Sequence, residues 1–297
     1  MVEPKTLRRF WKNPVAVISL FVLVFVVLSA VLGPLAIPAE YARPSALSFS
    51  PPTLAHPFGT DLLGQDLLYR VLTGGQVSLL VGFCGAIVSL IIGTSYGLVA
   101  GYAGGRLDGL MMRIVDILYS VPRLVFILIA INAFNQQMLE LATKLDSPWL
   151  LANSRIVILV ISLGIIEWLT LARIVRGQTL ALKDRQFVTA AKALGQSHFV
   201  ILWRHILPNL LGVVLIYLTL TIPAIIIDES FLSFLGLGVQ PPAASWGSLL
   251  ADGAGALNPI QIRWWLVVFP AVSMAVTLLA LNYLGDSLRD LFDPKRS

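Results

Sequence analysis

Arg185-Gln-Phe-Val-Thr-Ala-Ala-Lys-Ala-Leu-Gly195-Gln-Ser-His-Phe-Val-Ile-Leu-Trp-Arg-His-Ile-Leu-Pro208-Asn is a polar interlude between two long apolar runs. Within it Phe187, Ala190, Ala191 and Leu194 recur at i, i+3, i+4 and i+7, the spacing of one helical stripe, while Arg185 and Lys192 fall elsewhere on the helix. The spacing predicts a short amphipathic helix that Gly195 stops. Ser197 is placed to cap a second helix, to which Val200, Trp203 and Leu207 lend an apolar face before Pro208 ends it. Two short helices joined at a glycine suit a surface knob that another protein grips.

The rest of the chain explains why such a knob has to project from a membrane. Of 297 residues, 57% are hydrophobic and only 12% charged, with mean hydropathy +0.84; soluble domains carry about 25% charged residues. The chain is an integral membrane protein. Its net charge of +5 points to nucleic acid in a soluble protein, but in a membrane chain it reads as the basic bias of cytoplasmic loops, and no nucleic-acid partner is expected. Cys84 stands alone, so no intrachain disulfide can form, and His56, His198 and His205 lack metal-ligand spacing. No Gly-Lys dipeptide occurs, hence no P-loop; no cofactor is expected on this chain.

Lys5, Arg8, Arg9 and Lys12 precede an apolar run from Val15 to Leu32, too long for the core of a cleaved signal peptide and therefore a retained first span. A proline-rich external loop over 34–70 leads to a second span from Val77 to about Gly101. There Gly85, Ser89, Gly93, Gly97, Gly101 and Gly105 stand four apart, a ladder that lets another helix approach closely. The third span is expected over about Leu110 to Phe134, with Arg113 and Asp116 spaced for a same-helix pair and with Arg123 inside it. The fourth runs from Ile156 past Glu167 to Arg173. The fifth begins at Asn209 or Leu210, carries Pro223, and ends at Asp228 and Glu229, a pattern read as a broken helix lining water. A sixth ends near Arg289. Glu167, Asp228 and Glu229 are the candidate pathway or gate residues, and Gly93, Gly97 and Gly101 the packing residues. With the N-terminus inside, fifteen basic residues fall on internal segments and five on external ones, which places both termini and the knob in the cytoplasm.

Several stretches carry a family resemblance. Ala190-Ala191, Gly195 and Leu207-Pro208 resemble the Glu-Ala-Ala, Gly, Leu-Pro signature loop of ABC importer permeases, with Thr189 in place of the Glu. His56-Pro-Phe-Gly-Thr-Asp61-Leu-Leu-Gly-Gln-Asp66 is similar to the segment before the second span in the oligopeptide and dipeptide branch, with Gln65 replacing an Arg. Ser233 to Pro242, Ser245-Trp-Gly247, Trp265 to Pro270 and Asn282 to Asp290, with Asp293-Pro294 beyond, extend the resemblance. It implies an all-α, six-helix type I ABC importer permease in the bacterial inner membrane. Residues 1–71 form the leader, first helix and external loop, and 72–297 a five-helix core with a coupling loop at about 177–209. It implies a homologous permease partner in a heterodimer, lipid around both, and an extracytoplasmic solute-binding protein. Two cytoplasmic ABC ATPases using ATP and Mg would dock on Arg185, Ala190, Ala191, Leu194, Gly195, Leu207 and Pro208. The implied cargo is a di- or oligopeptide, with nickel chelates or glutathione as the alternative.

Two rival classes are weaker. A secondary transporter places ionisable residues at mid-membrane in repeated halves, and no two-fold repeat is visible here. Gly93-Thr-Ser95-Tyr-Gly97 fits the hydrolase nucleophile pattern, which requires a strand, a strained turn and a helix, yet it lies in mid-span.

Overall fold

The structure is a computed structural model that describes residues 10–257 and 261–292. Lys5, Arg8 and Arg9 of the leader, and Asp293, Pro294, Lys295 and Arg296, lie outside the described residues. Six helices are long and apolar enough to cross a membrane. In chain order the elements are α1 (Pro14–Ala36), α2 (Leu67–Ala103), α3 (Gly105–Ser120), α4 (Arg123–Lys144), α5 (Pro148–Leu182), α6 (Gln186–Ala193), α7 (His198–Phe234), α8 (Trp246–Gly255) and α9 (Trp265–Phe292). The spans are α1, α2, α4, α5, α7 and α9.

Local chemistry sets the helix starts. The Asn13 side chain accepts from the Val15 and Ala16 amides ahead of α1, Asp66 accepts from Tyr69 N at 2.8 Å ahead of α2, and Ser147 with Pro148 opens α5. Pro34 near the end of α1 lacks the N–H that the Ala30 carbonyl would accept from; Gln76 of α2 donates to that oxygen instead at 2.7 Å, tying the first span to the second.

Several expected boundaries differ: the second span starts at Leu67 rather than Val77, and the fourth continues past Arg173 to Leu182, into the first residues of the expected coupling loop. The third span does not start at Leu110: Val121-Pro122 interrupts it, because a residue before proline is pushed out of the helical region, and α3 and α4 are separate helices. The fourth span begins at Pro148 rather than Ile156, so Arg155 belongs to a helix and not to an external loop. The fifth span is not broken by proline. Residues 201–206 form a π turn in which Leu207 N reaches the Leu202 carbonyl, and that wider turn seats Pro208 inside one continuous helix from His198; Pro223 is likewise passed without a break.

The core joins α2, α4, α5 and α7 through Val81, Ile127, Leu159, Leu163, Ile225 and Leu232. Along one seam α2 and α5 approach backbone to backbone: a Cβ on Gly93 would lie 2.8 Å from Trp168 O, on Gly97 2.5 Å from Ala172 O, and on Gly101 2.6 Å from Arg176 O. The acceptors on α5 are also four apart, so the ladder has a matching partner. Gly105 is not a rung. It starts α3, with open space around it.

Candidate functional site

The knob is built as a two-faced helix. On the inner side Val188 and Ala191 are buried with Leu171, Val175, Ile201, Ile206 and Leu210, which fixes α6 to the ends of α5 and α7. On the outer side Phe187, Ala190 and Leu194 are exposed, Leu194 to 80%. The sequence stripe therefore does not pack inward as a unit; only Ala191 of it is buried. Likewise Trp203, given to the apolar face of the second helix, is half exposed, and Ile201, Ile206 and Leu210 form the buried side. Arg185 precedes α6 as its N-cap and is exposed, while Leu207 is half-buried and Pro208 exposed.

Gly195 closes α6 by a Schellman turn. Its φ is +72°, its amide donates to Lys192 O at 3.0 Å, and the Gln196 amide donates to Ala191 O at 3.2 Å. The Ser197 hydroxyl then accepts from Val200 N at 3.4 Å and starts α7. The outcome is a rigid reversal that presents three apolar side chains at one end of the bundle.

Inside the bundle the ionisable residues separate into two sites. Arg123, at the start of α4, pairs with Glu167 of α5 and, at 2.9 Å, with Asp228 of α7. Glu167 and Asp228 are thus brought together by Arg123, which the sequence marked as a costly charge inside a span but did not group with the pathway residues. A lone basic residue next to a proline inside an apolar run was the available signal. The cluster borders a cavity of about 440 Å³ lined by Tyr119, Pro122, Arg123 and Phe126 on one side and Ile165 to Thr170 on the other.

Glu229 does not join this cavity. One residue along a helix turns a side chain by about 100°, which aims Glu229 away from Asp228 to a side where it is fully buried. Hydroxyls of Ser233 (2.6 Å), Ser78 (3.1 Å) and Ser230 (3.3 Å) donate to its carboxyl group. Ser78 and Ser233 accept in turn from the amides of Trp246 and Val239. The cage fixes the turn between α7 and α8. Glu229 is thus buried and hydrogen-bonded within the chain, apart from the Arg123 cluster.

Three contacts strap α3 to α5. Arg176 donates twice to Asp108 at 2.5 and 2.6 Å, Arg173 pairs with Asp116 at 2.8 Å, and Tyr119 bonds Thr170 at 2.7 Å. The Arg176 hydrogen bonds hold the Asp108 carboxyl below the usual carboxylate range. Asp116 pairs with Arg173 of α5, against which α3 packs, rather than with Arg113 one turn away on its own helix. Ser95 lies within unbroken helix, on its exposed side.

At the opposite end of the bundle from the knob, the proline-rich loop is folded against the start of α2. His56 contacts Asp66 at 2.8 Å, Arg70 donates to Asp61 at 2.6 Å, and Gln65 donates to Ala42 O at 2.7 Å, so the position that carries Arg in the resembling family here holds the loop by an amide.

A bundle with glycine-packed spans, interhelical ion pairs and an apolar knob at one end is a multi-span helical membrane protein with a face free for a partner. The chain belongs to the binding-protein-dependent transport system inner membrane component family, whose model matches residues 93–297. The N-terminal TM domain of oligopeptide transport permease C matches residues 5–52. The oligopeptide transport system permease protein OppC of Haemophilus influenzae is 44% identical over 97% of this chain and 87% of that protein. The dipeptide transport system permease protein DppC of Bacillus subtilis is 40% identical over 97% and 84%. In architecture the chain is similar to a chain of the MetNI methionine ABC transporter in an inward-facing form, with TM-score 0.53 and 17% identity over 76% of this chain and 98% of that one. The fold is that of a type I importer permease, a multi-pass protein of the inner membrane.

Proposed function

We propose that this chain forms half of the translocation pathway of an ATP-driven peptide importer and couples it to cytoplasmic ATPases through α6. The observation that carries the coupling is the outward apolar face of Phe187, Ala190 and Leu194, held rigid by buried Val188 and Ala191. An apolar face clamped in place at the end of a bundle favours a protein partner over solvent. Two ATPases would grip the knobs of this chain and of a homologous permease, and their closure would tilt α5 and α7, between which each knob is fixed. A binding protein would deliver cargo at the other end. The basic excess on segments flanking the knob supports placing that end in the cytoplasm.

Peptide cargo is supported by the printed names of the relatives, which speak of oligopeptide and dipeptide transport. The test is reconstitution of the complete complex in proteoliposomes, with ATP-dependent uptake of di- to pentapeptides measured beside glutathione and a nickel chelate. Peptide uptake inhibited by vanadate is expected; uptake of the other solutes alone would overturn the cargo assignment.

A further inference from the structure

α4 is the least apolar of the six spans, and its packing explains where the polar residues point. Ile127, Ala130 and Ile131 form its buried side. On another side Phe126, Ile129, Ala133, Gln137 and Glu140 follow at steps of three and four, one continuous helical face. All but the half-buried Phe126 are exposed. Its lower end, Phe126, lines the cavity beside the Arg123, Glu167 and Asp228 cluster. Its upper end is polar, with Asn132 and Gln136 beside it.

Carboxamides and a carboxylate on a spanning helix are disfavoured against lipid tails, so this face meets water or protein. Among the described residues Gln137 has no hydrogen-bond partner, Gln136 reaches only Glu140 at 3.3 Å, and Asn132 uses its amide on Leu128 O at 2.9 Å while its oxygen stays free. We propose that this face of α4 is the wall along which cargo moves, with Asn132, Gln136 and Gln137 binding the main chain of an extended peptide. The inference rests on the peptide-importer reading above.

The chemistry selects the backbone over the alternatives. Each carboxamide offers both donor and acceptor. An extended peptide in transit presents the same pair, unsatisfied, at every residue. A neighbouring transmembrane helix has already satisfied its own backbone internally. Spacing agrees as well: residues four apart on a helix, as Asn132, Gln136 and Glu140 are, rise about 6 Å, close to the roughly 6.7 Å over which an extended chain repeats its side. Between the amides and the ion cluster this face carries Ile129 and Phe126, which place no charge or hydrogen-bond demand on the passing side chains.

The test uses the assembled complex in proteoliposomes with trialanine as cargo. Gln136→Leu/Gln137→Leu is expected to lower ATP-dependent trialanine uptake at least ten-fold while the ATPase subunits co-purify as before. Gln136→Asn/Gln137→Asn, which keeps the carboxamides, is expected to retain most of the uptake. A photo-crosslinking residue at position 137 should capture labelled trialanine during turnover. Unchanged uptake in the Leu variant overturns the proposal. So does loss of the partner permease on purification with crosslinks running to that subunit, which would make the face a subunit interface. Failure of the unaltered complex to import trialanine, with another solute imported, would strike the peptide reading itself.

Discussion

Replacing Gly97 by Ala adds one methyl group at the tightest rung of the α2–α5 seam. That carbon would stand 2.5 Å from Ala172 O, 2.8 Å from Val175 Cβ and 2.9 Å from Arg176 N, where ordinary contact begins at 3.4 Å. None of these atoms is the end of a flexible side chain, so no rotamer change relieves the clash and the helices must part by about 1 Å. Overpacking of this kind costs about 1–3 kcal/mol, offset by the ~1 kcal/mol that Ala gains over Gly in a helix. Gly177, on α5, has nothing within 4 Å of its Cβ position, so Gly177→Ala keeps only the gain. Heat denaturation of the detergent-solubilised protein, followed by tryptophan fluorescence, should therefore rank Gly177→Ala above the unaltered chain and Gly97→Ala below Gly177→Ala by about 1–3 kcal/mol. The seam argument fails if Gly97→Ala melts at or above Gly177→Ala.

Removing Arg123 leaves Glu167 and Asp228 facing each other inside the bundle; because Arg123 is 42% exposed, the expected loss for Arg123→Met is about 1–3 kcal/mol, below the ~3–5 of a fully buried pair. Adding Glu167→Gln and Asp228→Asn to that variant should restore the melting temperature, and a triple variant as unstable as the single one would contradict the charge account. Glu229→Ala should cost about 2 kcal/mol or more by leaving the Ser78 and Ser233 hydroxyls without their acceptor, and wild-type melting in that variant would dismiss the cage. For orientation, Leu54→Cys and Ala193→Cys in a Cys84→Ser background should respectively react and fail to react with an impermeant thiol reagent applied to intact cells; the reverse pattern would invert the topology.

The six spans are legible in the sequence because apolar runs of membrane length have few other uses. The gap between α3 and α4 is not, since Pro122 is followed by Leu124 to Ala130, a run whose hydropathy hides the break. Pro208 and Pro223 mislead in the opposite direction, because a π turn and close packing let a helix pass a proline that composition reads as a stop. Around the knob, both faces of α6 are apolar, so periodicity finds the helix but cannot tell Val188, turned inward, from Phe187, turned outward. The ion cluster depends on three helices meeting, and local spacing alone suggested Arg113 for Asp116 and a shared role for Asp228 and Glu229. Side chains adjacent in sequence went to different neighbours, Asp228 to Arg123 and Glu229 to the serine cage, which only the packed bundle decides.

Coupling through α6 is tested most directly by Leu194→Asp. Leu194 is 80% exposed, so the substitution removes no buried contact within the chain and the melting temperature should stay unchanged. At an ATPase interface it would forfeit the roughly 1.5–3 kcal/mol of burying a leucine side chain, at least ten-fold in affinity, and place a charge in an apolar contact. Co-purification and proteoliposome uptake should show the ATPase subunits lost and ATP-driven import abolished. ATPase subunits retained at the unaltered level together with undiminished peptide uptake would contradict the account.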